Sequence, residues 1–246
     1  MMRKLVSPLI IIVLLLPVNA LAEKLVFAVA TGVQPYTIVE KGKITGMNVE
    51  IVLEACKRLG IEAELMPLSW ARALKIIKKG GADAIFSGYR TKERTQFLYY
   101  PSEPINSLRV IIFAREGSET KVTRLEELKG KTVGLLRKYS YGEKFDKYQG
   151  VKRQLYNSVD ELIKVLAKGR TDLIVAHEGI FRYRCKQENL QDRFEAVYVI
   201  SDEPLYVAFS KKALGEKGSA LAEKFSGALQ QMKKEGLVQK IMERYQ

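Results

Sequence analysis

The phrase Lys79-Gly80-Gly81-Ala82-Asp83-Ala84-Ile85 returns as Lys168-Gly169-Arg170-Thr171-Asp172-Leu173-Ile174, and this repeat of K-G-x-x-D-x-I constrains the fold more than any other feature. Each copy stands between an amphipathic helical pattern and an apolar run. Glycine is the residue that closes a helix, and a short run that is apolar throughout fits a strand buried on both faces. The helix-glycine-strand grammar produces some of this likeness by itself, so chance similarity is the alternative. If both copies do the same work, two strand ends face one cleft, with Ser87 to Arg94 opposite Ala176 to Glu178.

The order of elements supports a two-part α/β chain. Leu25 to Ala30 reads as a central strand, followed by a turn from Gly32 to Pro35. Asn48 is the expected cap of a helix with Val49, Val52, Leu53, Cys56 and Leu59 on one face, ended by Gly60. Ile61 to Met66 is the next strand, Ser69 to Lys79 a second helix, and Asp83 to Ser87 a third strand. Thr91 is placed to cap a helix that starts on the basic segment Arg90 to Arg94. After Pro101 and Pro104 the logic repeats. Strands are expected at Leu108 to Ala114, Lys131 to Leu136, Gln154 to Tyr156 and Asp172 to Ala176, with capping boxes at Thr123/Glu126 and Ser158/Glu161. The tail, a strand at Tyr206 to Ser210 and then helices bearing Leu221, Phe225, Met232 and Ile241, needs a surface to cover.

The first residues read as an export leader. Arg3 and Lys4 precede the apolar run Leu9 to Leu16, and Ala20-Leu21-Ala22 forms a small-residue cleavage site before Glu23. The apolar run is too short for a permanent span. Removing Arg3 and Lys4 lowers the formal charge of +13 by two, and the remaining Lys and Glu intersperse on helix faces, as a solvated surface would. Export and the lack of a binding motif argue against nucleic acid. One His and two scattered Cys form no metal-ligand pattern, no cofactor is expected, and Cys56 and Cys185 read as separate buried thiols.

Several stretches, in this order, carry a family resemblance: Pro35-Tyr36, Gly46-Met47-Asn48-Val49-Glu50, Lys79 to Ile85, Thr91-Lys92-Glu93-Arg94, Leu125 to Gly134, and Gly236 to Tyr245. Together they resemble the bacterial extracellular solute-binding proteins of family 3, over essentially all of Lys24 to Gln246. The resemblance implies a two-lobed periplasmic-binding-protein fold of type II, each lobe a mainly parallel sheet flanked by helices, with two hinge strands. Residues 1–22 would be the leader, 23–105 with 205–246 a discontinuous first lobe, and 106–204 the second. The hinge crossings fall near Pro104 to Leu108 and Asp202 to Tyr206. The function implied is capture of a small polar carboxylate-bearing solute, an amino acid or related anion, in an interlobe cleft. A monomeric receptor in the periplasm would then deliver it to an ABC permease.

By the same resemblance the cleft is lined by Trp70, Ser87, Gly88, Tyr89, Arg90, Arg94, Arg137, Tyr139, Ser140, Tyr141 and His177, with Glu178 as a substitute contact if the strand end is offset. Arg94, the arginine of T-x-E-R, inherits the carboxylate clamp, for which a planar fork is suited and a lysine is not. Three departures bear on the ligand. The turn at Tyr89-Arg90 is shorter and bulkier than the family's, and Arg137-Lys138-Tyr139-Ser140-Tyr141 replaces a small G-T-[TS]. His177 stands where amino-acid binders place the Asp that holds the ligand ammonium. Were His177 to contact the anion, affinity would weaken as pH rises through about 6.5. Two other classes compete: an enzyme resembling periplasmic cyclohexadienyl dehydratase, with His177 or Glu178 as general acid or base, and a ligand sensor for a membrane signalling partner. The receptor is favoured because no nucleophile, base and orienting group assemble in the sequence, whereas arginines and aromatics explain themselves as recognition.

Overall fold

The computed structural model describes residues 23–31, 33–137 and 139–245. The leader read at 1–22, with its cleavage site, lies outside them, as do Gly32, Lys138 and Gln246.

In chain order the elements are β1 (Glu23–Ala30), the hairpin β2 (Ile38–Glu40) and β3 (Lys43–Thr45), α1 (Met47–Arg58), β4 (Ile61–Leu68), α2 (Trp70–Lys79) and β5 (Ala84–Gly88). A 3-10 turn at Arg94–Gln96 and the short β6 (Leu98–Tyr99) precede β7 (Asn106–Arg115). Then come β8 (Thr132–Leu136), α3 (Glu143–Lys147), β9 (Lys152–Tyr156), α4 (Val159–Ala167), β10 (Leu173–His177) and α5 (Glu178–Gln187). The long β11 (Phe194–Ser210) returns the chain to α6 (Lys211–Leu214), α7 (Lys217–Lys234) and α8 (Leu237–Glu243).

The main path of the sheet runs β4-β1-β5-β11-β7-β10-β8-β9. At one end β1 lies parallel to β4 and β5; at the other β8 lies parallel to β9 and β10. β11 joins them: Phe194 to Leu205 pair antiparallel with β7, and Tyr206 to Phe209 pair antiparallel with β5. The architecture is therefore α/β, of the two-part kind expected. The core strands are apolar along their central stretches because both faces are covered there. Leu25, Phe27 and Val29 of β1 pack with α1, α7 and α8, while Ala28 faces α2. In β7, Val110 and Ile112 face one cluster and Ile111 and Phe113 the other. Leu221, Phe225, Met232 and Ile241 from the tail join the cluster of β1, which is the surface they required. Cys56 and Cys185 are unpaired and belong to different clusters, and burial pushes each thiol up to about 12.

The repeated phrase has one structural meaning. The Asp83 carboxylate accepts the Val26 N–H of β1 at 2.8 Å, and the Asp172 carboxylate accepts the Thr132 N–H at the start of β8 at 2.7 Å. The Asp83 N–H donates to Val26 O at 2.9 Å and the Asp172 N–H to Thr132 O at 3.1 Å. Each aspartate thus docks the strand after its helix against the neighbouring parallel strand.

Several local expectations change. Helix α1 begins at Met47, so Asn48 is not its cap; the Asn48 side chain is buried and bonds elsewhere. Thr91 Oγ1 accepts the Arg94 N–H at 3.2 Å, but only a 3-10 turn follows it, with no α-helix. Thr123 bonds to Glu127 rather than Glu126, again at a 3-10 turn. Ser158 caps α4 as read, accepting from the Glu161 N–H. The hairpin, α3, α5 and the first two-thirds of β11 were not legible in the sequence.

Candidate functional site

The strand end after β5 is held from below. Ser87 adopts φ 65°, a left-handed conformation uncommon for a residue with a side chain, and its Oγ accepts from Asn48 Nδ2 at 2.9 Å. Asn48 Oδ1 in turn accepts from Asn106 Nδ2 at 3.2 Å, at the start of β7. A buried amide chain therefore connects the turn to the crossing strand. Buried amides are stable only when so paired.

Gly88 comes next, and a Cβ on it would lie 2.6 Å from Trp70 Cη2. The glycine lets the edge of the indole, at the first position of α2, approach the turn closely. Over that indole sits the Arg94 guanidinium, 5.1 Å from the ring, with Nη1 donating to Tyr89 O at 2.9 Å. A cation over an aromatic face is attracted by the ring quadrupole, which fixes the fork while leaving its other N–H groups to a ligand. These residues surround a cavity of about 270 Å³ closed by Ala30, Thr31, Val33, Tyr36, Thr37, Leu108 and Leu205. Arg94 is the charged residue among its described lining residues.

A second cavity, about 490 Å³, shares Val33 and Leu108 with the first and is otherwise lined by Gln34, Tyr139, Val159, Asp160, His177, Ile180, Tyr183 and Arg184. His177 ends β10 with its ring 6.0 Å from that of Tyr139. Its Nδ1 is buried without a hydrogen-bond partner among the described residues, and burial lowers the imidazole below its usual 6.5. That burial favours the neutral ring in the absence of a bound anion. Asp160 accepts from Arg184 Nε at 2.9 Å and Nη2 at 2.8 Å, and that guanidinium holds its carboxyl below the usual range.

Of the residues expected at the cleft, Trp70, Ser87, Gly88, Tyr89 and Arg94 line the first cavity, and Tyr139 and His177 the second. The others lie apart. Arg90 is exposed, 5.9 Å over the Tyr100 ring, and Arg137 is exposed at the end of β8. Ser140 Oγ donates to Asp146, which ties it to α3. Tyr141 is a core residue whose hydroxyl accepts the Leu136 N–H at 2.7 Å. Glu178 lines neither cavity. Its carboxylate, 12% exposed, accepts from Arg109 Nη1 at 2.7 Å and Arg182 Nε at 2.9 Å. Tyr36, noted only as part of a motif, reaches across to α5. A Cβ on Gly179 would lie 2.6 Å from its hydroxyl, so only glycine admits this contact, and burial beside the Glu178 charge raises the phenol well above its ordinary value. Leu205, Asp160, Tyr183 and Arg184 carried no signal in the sequence, being apolar or charged positions like many others. Among the described residues, no group of three or more His, Cys, Asp or Glu could hold a metal ion.

With this geometry in place, similarity to known proteins is informative. The family model for bacterial extracellular solute-binding proteins, family 3, matches residues 25–246. The L-cystine-binding protein TcyJ of Escherichia coli (strain K12) is 25% identical over 207 residues, 84% of this chain and 76% of that protein. The arginine-binding extracellular protein ArtP of Bacillus subtilis (strain 168) is 24% identical over 231 residues, 91% of this chain and 86% of that protein. Among solved structures, a polar amino acid ABC uptake transporter substrate binding protein from Streptococcus thermophilus superposes with TM-score 0.78 at 20% identity, covering 90% of this chain and 85% of that one. The L-cystine solute receptor of Neisseria gonorrhoeae, in its unliganded open conformation, gives 0.75 at 20% identity, covering 91% and 92%. These two likenesses establish the fold.

Proposed function

The chain belongs to the bacterial extracellular solute-binding proteins of family 3, and from that premise we propose that it captures a small carboxylate-bearing solute at Arg94 and passes it to an ABC importer. The observation that carries the site is the Arg94 guanidinium seated on Trp70 and facing a 270 Å³ cavity at the end of β5. One Nη is fixed on the Tyr89 carbonyl, which orients the fork for bidentate capture of a carboxylate. Tyr36, Leu108 and Leu205 supply apolar walls from other elements, so the carboxylate is bound in a setting of low dielectric where the pairing is stronger than in water.

The reading divides the molecule into lobes 23–105 with 205–246, and 106–204, joined where β7 begins and where β11 passes from β7 to β5. Closure about those two crossings brings the cavities together around the solute. It makes the protein a monomeric receptor, exported with cleavage after Ala22, rather than an enzyme. Glu178, one of two conceivable acid–base groups, is held between two arginines.

The test is calorimetry and thermal shift with a panel of amino acids, other carboxylates and dicarboxylates, on the native protein and on Arg94→Ala and Arg94→Lys. A ligand of the folded state raises the melting temperature. Arg94→Ala is expected to cost about 1.5–3 kcal/mol of binding, and Arg94→Lys to recover little of it, because a point charge cannot reproduce the fork. Unchanged affinity in Arg94→Ala would move the carboxylate site elsewhere.

A further inference from the structure

The two cavities meet at Val33 and Leu108, so a solute held at Arg94 has room to continue into the second. What it can be is limited by which polar groups are already engaged. An ammonium taken out of water needs a carboxylate or a set of acceptors in return. Glu178 is committed to Arg109 and Arg182, and Asp160 to two nitrogens of Arg184. Drawing either carboxylate to an ammonium would strip a half-buried guanidinium of its partner. The Tyr89 carbonyl already accepts from Arg94 Nη1 and from Tyr100 Oη at 3.3 Å.

His177 is the opposite case. Its ring lines the second cavity with no hydrogen bond to a described residue, while Nδ1 itself lies beneath the accessible surface. The neutral ring can give or accept one hydrogen bond but offers no charge. Around it the wall combines Val159, Ile180, Tyr139 and Tyr183 with Gln34 and the Asp160–Arg184 ion pair.

We infer, building on the carboxylate clamp at Arg94, that the solute is a carboxylate bearing no amino group for the protein to recognise, whose uncharged far end meets the accessible edge of the His177 ring through one hydrogen-bonding atom. The carboxylate pairs with the fork, the body lies along Trp70 and Leu108, and the far end lies between Tyr139 and Tyr183. An α-amino acid would present its ammonium to the Arg94 cavity, whose one charge among the described lining residues is already positive.

Calorimetry with matched pairs tests this: L-tyrosine against p-hydroxyphenylpropionate, and L-tryptophan against indolepropionate, with the p-hydroxyphenyl acids also taken as acetate, propionate and butyrate to vary reach. The des-amino member of each pair is expected to bind at least about tenfold more tightly. An amino acid that binds as tightly as its des-amino partner, or more tightly, overturns the inference. The far-end contact is read separately. His177→Phe should weaken the best p-hydroxyphenyl acid about tenfold more than the plain phenyl acid of equal length, with His177→Gln restoring part of the difference. Equal effects on both acids overturn that contact. Loss of both members of a pair in Arg94→Ala upholds the clamp whichever member wins, whereas binding that survives Arg94→Ala overturns the clamp and this inference with it.

Discussion

Trp70 lies so close to Gly88 that a Cβ there would stand 2.6 Å from Cη2 and 3.3 Å from Cζ2 of the indole, with Arg94 Nη1 at 3.6 Å. The absence of a side chain at one residue therefore sets the position of an aromatic ring, and the ring in turn supports the guanidinium. Gly88→Ala is expected to push the indole and Arg94 off their stacked positions, an overpacking change of about 1–3 kcal/mol in the worst case. Because Trp70 is the single tryptophan in the chain, its fluorescence reports this site without background. The variant should show a shifted emission maximum and weaker ligand binding. An emission spectrum and affinity like those of the native protein would show that the contact does not govern the site.

Asp83 and Asp172 do the same work at opposite ends of the sheet, each accepting one backbone N–H from the adjacent parallel strand. Asp83→Ala and Asp172→Ala each leave that N–H without its acceptor, at about 1–3 kcal/mol of stability. The asparagine variants retain an acceptor oxygen and should lose less. Urea unfolding of the four variants checks this, and because the two sites share no partner their losses should add in the double alanine variant.

The repeat was legible because it lies where local and tertiary demands coincide, a helix stop followed by a strand buried on both faces. The strands around it were legible for the same reason: Leu25 to Ala30 and Val110 to Ala114 are apolar at every position, and only a doubly covered strand requires that. From the residues themselves β11 was read only from Tyr206, and the resemblance added a hinge crossing near Asp202 to Tyr206. Its earlier part carries Asp202, Glu203 and Pro204 in mid-strand, which sequence alone assigns to a loop, yet they pair with Arg109, Leu108 and Ser107 across a ladder with irregular register. Helix α5 has a narrow apolar face, with Phe181 and Cys185 buried, and its charges resemble a solvated segment. At the site, Arg94, Trp70 and Ser87 to Tyr89 could be placed from the order of motifs. Tyr141 could not be separated from Tyr139, because an aromatic two positions away in a loop has no period to say which one turns inward. Asp160 and Arg184 stand 24 residues apart on different helices, and nothing in sequence shows that they meet.

Asn48 is the middle member of the chain from Asn106 to Ser87. Asn48→Ala would leave the Asn106 amide and the Ser87 hydroxyl short of a partner in a buried setting, for about 1–3 kcal/mol of stability. It would also free Ser87 to leave its left-handed conformation, so ligand affinity should fall together with stability. Ser87→Ala removes the same contact from the other side. A double-mutant cycle between Asn48 and Ser87 should give a coupling of about 0.5–3 kcal/mol in unfolding free energy. Additive losses would mean that the hydrogen bond contributes nothing to holding the turn.

His177 supplies a prediction that depends on sign. Burial lowers its folded value below 6.5, so the unfolded chain takes up a proton at this residue before the folded chain does. From about one pH unit above 6.5 the ring is neutral in both states and makes no pH-dependent contribution. As pH falls below 6.5 the unfolded state binds more protons, stability declines, and the decline from this group levels off once the folded ring also protonates. It is the single histidine, so replacing it isolates the effect. Unfolding midpoints of native protein and His177→Gln, measured between about pH 5 and 8, should differ by a constant near the upper end of that range and change relative to each other as pH falls towards and below 6.5, with the native protein losing more. Ligand affinity should be flat across the upper part of the same range, since a neutral imidazole has no charge to lose as pH rises. Parallel stability profiles throughout would mean that the ring is solvated enough to titrate as it does in the unfolded chain, and a fall in affinity through 6.5 would restore a charged contact between His177 and the solute.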